Sequence, residues 1–397
     1  MKKSLNISFR LYELFAIALT FIVIKAVPEF FGDTFRIIWY LCTIPTFLII
    51  SLPYWKKDLN IISFFYCLAI LIGFFLHKLQ GVKEAGVFAE LIIRIVPILV
   101  IMHYKKGLIC SNKIIRVFAL TFFTIECIIA IYERITLSHL FDYESESQAM
   151  NVAMFLDEEF RSYALFGHPL WNANVVSLFL AFILCNNRIS NCYKLFLMFL
   201  GLGAIWAFNS RACMLIWILI IIYRILFYGR SLKWILCCMA IIISLIPSLI
   251  IYAQNSTGLG RLDFDFSDSS SLTRILAFEV FLDYPWSLND IIWGGTRLTY
   301  PATLDGIVDD PPLENGILMD LGYWGFILGP IKILGEVLIS YLSLFQFALK
   351  DKMIIMIALW GVALMNNNSF GTFLMVTFMC AYLAFGLNNN QISPKRI

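Results

Sequence analysis

Uncharged apolar stretches of membrane-spanning length recur along this chain and leave few folds open to it. They cover residues 37–53, 59–76, 170–185, 234–254 and 369–387. Each is near the roughly 20 residues that a helix rising 1.5 Å per residue needs to cross about 30 Å of hydrocarbon. The alternation of apolar and polar residues in ten-residue segments that marks an outer-membrane barrel is absent from them. With 60% hydrophobic and 14% charged residues over 397 positions, the composition is too apolar for a soluble chain of this length. The expectation is an all-α polytopic membrane protein, one membrane domain over residues 1–397.

Hydropathy predicts about twelve transmembrane helices, near 11–27, 36–53, 59–77, 88–103, 114–133, 168–185, 193–208, 211–228, 233–253, 324–347, 353–366 and 369–387. The basic start, "MKKSLNISFRLYELFAIALTFIVIKAV", has the head and body of a signal peptide but no small-residue cleavage site, and reads as a retained first helix. Lys2, Lys3 and Arg10 then fall on the same side as Lys56 and Lys57, Lys105 and Lys106, Arg188 and Lys194, Arg230 and Lys233, Lys350 and Lys352, and Lys395 and Arg396. The positive-inside rule makes that side the cytoplasm, with both termini there. The ten cysteines avoid the two long polar loops, so no disulfide framework is indicated. Basic residues scattered among short loops, with a net charge of only +3, exclude a nucleic-acid partner.

The opposite, exoplasmic face carries the two long loops, 134–167 and 254–323. Both are acidic, with Asp142, Glu144 and Asp157 in the first and Asp263, Asp265, Asp309, Asp310 and Glu314 in the second. Polar loops of this length usually carry function, which puts any chemistry on this face. Three arginines stand there. Arg211 opens a span in "AFNSRACMLIWIL", Arg161 precedes another in "RSYALFGHPLWNAN", and Arg274 lies in "SSSLTRILAFEVFLDYP", whose spacing predicts a helix. A charge inside a span costs on the order of 3 kcal/mol, which a long side chain avoids by snorkelling to the headgroups. Alternatively, guanidinium groups remain charged and bind phosphate oxygens bidentately, so three on one cavity suit a pyrophosphate.

The order of these motifs resembles that of the O-antigen polymerase and O-antigen ligase superfamily of bacterial membrane glycosyltransferases. The matching pieces are "RSYALFGHPLWNAN", "NSRACMLIWIL", "SLTRILAFEVFLDYPWSLNDIIWGG" and "ENGILMDLGYWGFILG", covering about residues 160–330. The resemblance implies a lipid-phosphosugar glycosyltransferase fold of the GT-C type in the bacterial inner membrane. It implies a glycan carried on undecaprenyl diphosphate and transferred on the exoplasmic face without a metal or another cofactor. Arg211 and Arg274 are then expected to hold the diphosphate, with Arg161 beside them; a flippase and a chain-length regulator are further candidate partners. Ligases of this superfamily place a histidine in the returning part of the loop. Here that part reads "DDPPLENGILMDLGYWG", and no histidine follows His168. The departure favours a polymerase of surface polysaccharide over a ligase; a lipid-oligosaccharide flippase or other transporter is the rival from a different class.

Transfer to a hydroxyl needs a group to take the acceptor proton. Glu314 is the first candidate, because desolvation at the membrane edge would raise its pKa; favourable charge at a helix N-terminus is the alternative. Asp310 and His168 follow as candidate bases. Trp171, Asn172, Asn315 and Trp286 are candidate sugar contacts, though interfacial aromatic belts also explain such tryptophans. Glu90 and Arg94, four apart in one span, are expected to pair and lock the bundle, with Glu126 as a further partner. Walker, dinucleotide and metal-spaced His/Cys patterns are missing, and the Asp263 to Phe266 "DFDF" is weak evidence for metal.

Overall fold

The computed structural model describes residues 60–79, 87–103, 112–141, 160–228, 277–296, 298, 315–361 and 374–386. The predicted spans at 11–27, 36–53 and 233–253 lie outside these residues. Among the described residues every regular element is a helix. In chain order these are α1 (Ile61–Leu79), α2 (Val87–His103), α3 (Asn112–Thr136), α4 (Pro169–Cys185), α5 (Asn191–Ala207) and α6 (Arg211–Tyr228). There follow α7 (Leu288–Trp293), α8 (Gly316–Ser343), α9 (Leu349–Met356) running into a π-helical turn at Ile357–Gly361, and α10 (Leu374–Ala381) running into another at Tyr382–Gly386.

Local chemistry sets several of the boundaries. Pro169 takes the first helical position of α4, where its missing N–H costs nothing. Ser190 caps α5 by accepting from the Tyr193 N–H, and the Asn315 side-chain oxygen accepts from Ile317 and Leu318 at 3.1 Å each to start α8. Ser287 and Asp290 form a reciprocal capping box on α7.

Among the described residues two helices, α1 and α8, are long and apolar enough to cross a membrane, and four shorter apolar helices accompany them. Their outward faces are oily: Phe64, Phe65, Leu68, Ile72 and Phe75 on α1, and Ile327, Ile331, Leu334, Leu338 and Leu342 on α8, are all exposed. Lys332, Glu336 and Ser340 occupy the buried side of α8 instead. Water would favour the opposite distribution, and hydrocarbon favours this one.

The core runs through α4, where 14 of 17 residues are buried, and through α10 and the inner faces of α3, α5 and α6. Helix α3 packs on α5, α4 on α5, α1 on α8 and α2 on α10. At one end of the bundle Lys350 donates to Phe227 O at 2.6 Å, Asn186 to Phe385 O at 3.0 Å and Lys194 to Leu184 O at 2.9 Å. The sequence reading puts all six of these residues at the same end.

The largest difference from the hydropathy reading is at the start of α8. Residues 316–323, assigned there to the large loop, are helical and precede the predicted span at 324–347. The helix breaks between the two pieces at Gly325, whose φ of 74° and ψ of 173° lie outside helical space. Hydropathy starts the span beside this break but does not distinguish a short helix before it from loop.

Candidate functional site

The end opposite the Lys350 contacts is built from two polar segments, residues 160–168 and 315–325. The first enters α4, and α3 holds it by its main chain. Glu133, fully buried near the end of α3, accepts with Oε2 from the Ser162 hydroxyl at 2.6 Å, the Tyr163 N–H at 2.8 Å and the Ala164 N–H at 3.0 Å. Its other oxygen accepts from the Leu140 N–H at 2.9 Å. Glu126, two turns earlier on the same face, accepts from the Leu165 N–H at 3.1 Å. The neighbouring Arg134 donates to Phe160 O and lies 5.5 Å over the ring of Trp206. His139 stacks on both Phe160 and Tyr163, with ring centroids 4.7 and 4.2 Å away. Ala164 is held at a φ of 38°, a conformation that costs a non-glycine residue free energy and persists only where its surroundings impose it.

This segment carries several of the sequence candidates. Arg161 is half-buried and forms no ion pair among the described residues. Its neighbour Ser162 donates its N–H to Ala207 O at 3.1 Å. Ala207 ends α5, and Arg211 opens α6 four residues later, after the buried Ser210 and Asn209 with a φ of 51°. Arg161 and Arg211 therefore issue from adjoining main chain at one end of the bundle. His168 is the N-cap position of α4, and its carbonyl accepts from Trp171 and Asn172 at 3.1 Å. Asn172 is fully buried and its amide donates back to Tyr163 O, closing the turn; Trp171 is partly buried against the core. Arg274, Glu314 and Asp310 lie outside the described residues.

The second segment is fastened differently. Gly294, Gly295 and Thr296 run against the end of the 316–324 piece, with the Gly295 N–H donating to Tyr323 O at 2.8 Å and Thr296 N–H to Gly322 O at 3.3 Å. A Cβ on Gly325 would stand 2.7 Å from both Gly294 N and Ile292 O, so only glycine fits the crossing. Trp286 sits beside this crossing, in a ring cluster with Phe281, Tyr284 and Phe326, and its indole N–H donates to Phe281 O at 2.9 Å. Asn315 spends its side-chain oxygen on the helix cap already described.

Beneath the crossing lies a buried charge network that the sequence reading missed. Lys332, with 0% exposure, pairs with Asp320 of the 316–324 piece and stands 3.6 Å from Glu336 one turn on. Tyr66 of α1 donates its hydroxyl to Glu336 at 2.8 Å. Arg94 of α2 lies 5.4 Å over the Trp324 ring and within electrostatic reach of Glu336. Arg94 thus has neighbours on α8, while the side chain of Glu90, its expected partner, lies outside the described residues. Glu126 turns to Leu165. Lys332 and Glu336 had a legible signal, being opposite charges four apart within a predicted span.

Among the described residues no group of three or more His, Cys, Asp or Glu side chains could hold a metal ion. The Ser162 to Ala207 hydrogen bond joins the stretch after Arg161 to the end of α5, four residues before Arg211, and a histidine stands at the entry to α4. Such an arrangement can receive an anion and neutralise charge that grows on it. No protein-family model matches the chain, and no curated protein matches it.

Proposed function

We propose that the protein is a membrane-embedded polymerase that joins oligosaccharide repeat units carried on undecaprenyl diphosphate into a surface polysaccharide on the exoplasmic face. One observation supports the reading beyond the motif resemblance: the Ser162 to Ala207 hydrogen bond joins the residue after Arg161 to the end of α5, four residues before Arg211. A diphosphate leaving group gains negative charge as the glycosidic bond breaks, and fixed guanidinium groups stabilise that charge without reorganising. Arg274 completes the set in this proposal, Glu314 assists the acceptor hydroxyl, with Asp310 and His168 as the other candidate bases, and Trp171, Asn172, Asn315 and Trp286 are candidate sugar contacts. The oily outer faces of α1 and α8 support a place in the bilayer, beside the lipid carrier.

The test is a gel of surface glycans from cells lacking the protein, complemented with the wild type or with Arg211→Ala. Loss of the polymer ladder with single capped repeat units remaining supports the polymerase. Polymer left on its lipid carrier would replace this reading with a ligase, and absence of any exposed repeat unit would replace it with a flippase.

A further inference from the structure

We infer that Glu133 is the positioning residue that holds Arg161 at the diphosphate, an inference that rests on the polymerase reading above. Three donors, the Ser162 hydroxyl and the Tyr163 and Ala164 amides, converge on one carboxylate oxygen, and the Leu140 amide takes the other. Every one of these donors needs an acceptor, and both oxygens of an ionised carboxylate accept only. Glutamine cannot substitute, because whichever way its amide turns it points N–H groups at donors. The segment held in this way begins one residue after Arg161 and includes Ala164 in a left-handed conformation. Released from the carboxylate, Ala164 relaxes to an ordinary backbone angle and the flanking chain turns with it. Arg161 on one side and His168 on the other then leave their places together.

Glu126 acts in the same direction through a single amide, that of Leu165. The contribution of Glu133 is larger because it fixes the part of the turn next to Arg161. Neither carboxylate touches the substrate in this arrangement. Their effect on the reaction passes through the arginine, which a double-mutant cycle can detect.

The experiment uses the full chain in nanodiscs, lipid-linked repeat units extracted from cells lacking the protein as donor and acceptor, and inorganic pyrophosphate as competitor. Arg161→Ala and Glu133→Gln are each expected to raise the pyrophosphate concentration for half-inhibition about tenfold, the scale of one charge-assisted contact. The double variant should show no more than either single one. Additive shifts in the double variant, or an unshifted Glu133→Gln beside a shifted Arg161→Ala, would overturn the inference and leave the polymerase reading standing. If the wild type neither polymerises the units nor responds to pyrophosphate, the polymerase reading fails and takes this inference with it. Should Glu133→Gln not yield a monodisperse protein, Ser162→Ala removes one 2.6 Å contact and keeps the carboxylate. It should shift pyrophosphate inhibition in the same direction in the wild-type background and not in Arg161→Ala, and no shift in the wild-type background overturns the inference.

Discussion

Segment 160–168 is fastened chiefly by carboxylates that accept from its main chain, whereas segment 315–325 is fastened by a side-chain charge pair and by a main-chain crossing at glycines. In the first, the carboxylates of Glu133 and Glu126 read amide hydrogens that any residue but proline would supply. In the second, Asp320 needs Lys332, and the Gly325 crossing admits no side chain. Main-chain fastening at Tyr163, Ala164 and Leu165 does not depend on which side chains the segment carries there. Side-chain fastening spends them, and its strength depends on every member being present.

The largest effect is therefore expected from Lys332→Met, which strands Asp320 and Glu336 in an apolar bundle. Breaking a buried pair from one side costs about 3–5 kcal/mol, to be read as lost resistance to unfolding in detergent. Adding Asp320→Asn should recover part of the loss; if it recovers none, the pair is not what fastens the segment. Next comes Gly325→Ala, where a φ of 74° and two 2.7 Å backbone approaches stand against a methyl group. A cost of roughly 1–3 kcal/mol is expected from the backbone conformation alone. Tyr66→Phe removes the 2.8 Å hydrogen bond to Glu336 and should cost about 1.5–3 kcal/mol, as a bond to a charged acceptor does. An unfolding transition identical to the wild type would remove α1 from the network.

The smallest effect concerns the capping box at the base of the loop. The Ser287 hydroxyl and N–H, with the Thr296 hydroxyl, donate to the half-buried Asp290 carboxylate and hold its pKa below the usual value. A depressed carboxyl pKa contributes stability that is fully present above the unfolded value, about 4, and is lost as pH falls through the lower folded one. Hydrogen exchange in α7 should therefore quicken below about pH 4, relative to α4, and Asp290→Asn should remove that dependence. An unchanged acid response in the variant would show that another group governs it.

The sequence made the helices legible because burial in an apolar bundle demands unbroken apolar runs, and those runs have sharp ends. Helix α6 begins and ends where hydropathy puts it, at Arg211 and Tyr228, and α4 within one residue. The piece before Gly325 was read as loop because it is far shorter than a span and carries Asp320 among its apolar residues. Asp320 was unreadable because its partner is twelve positions away, reached across a break in the helix. Glu133 looks in sequence like any acid near a helix end. Its ligands are amides, which carry no residue identity, so no pattern in the letters could have announced it. The hydrogen bond that joins the stretches carrying Arg161 and Arg211 needed the structure, since 49 residues lie between the two arginines.

The Gly294 and Gly325 crossing has a consequence for how this family of loops can change over time. It brings together two stretches of main chain, 294–296 and 322–325, that lie well apart in the sequence. Doubling the length of a closed loop adds only about 0.6 kcal/mol of closure entropy. Insertions and deletions between residues 296 and 315 are therefore expected to cost little stability, while the entry to α8 and the charges beneath it keep their places.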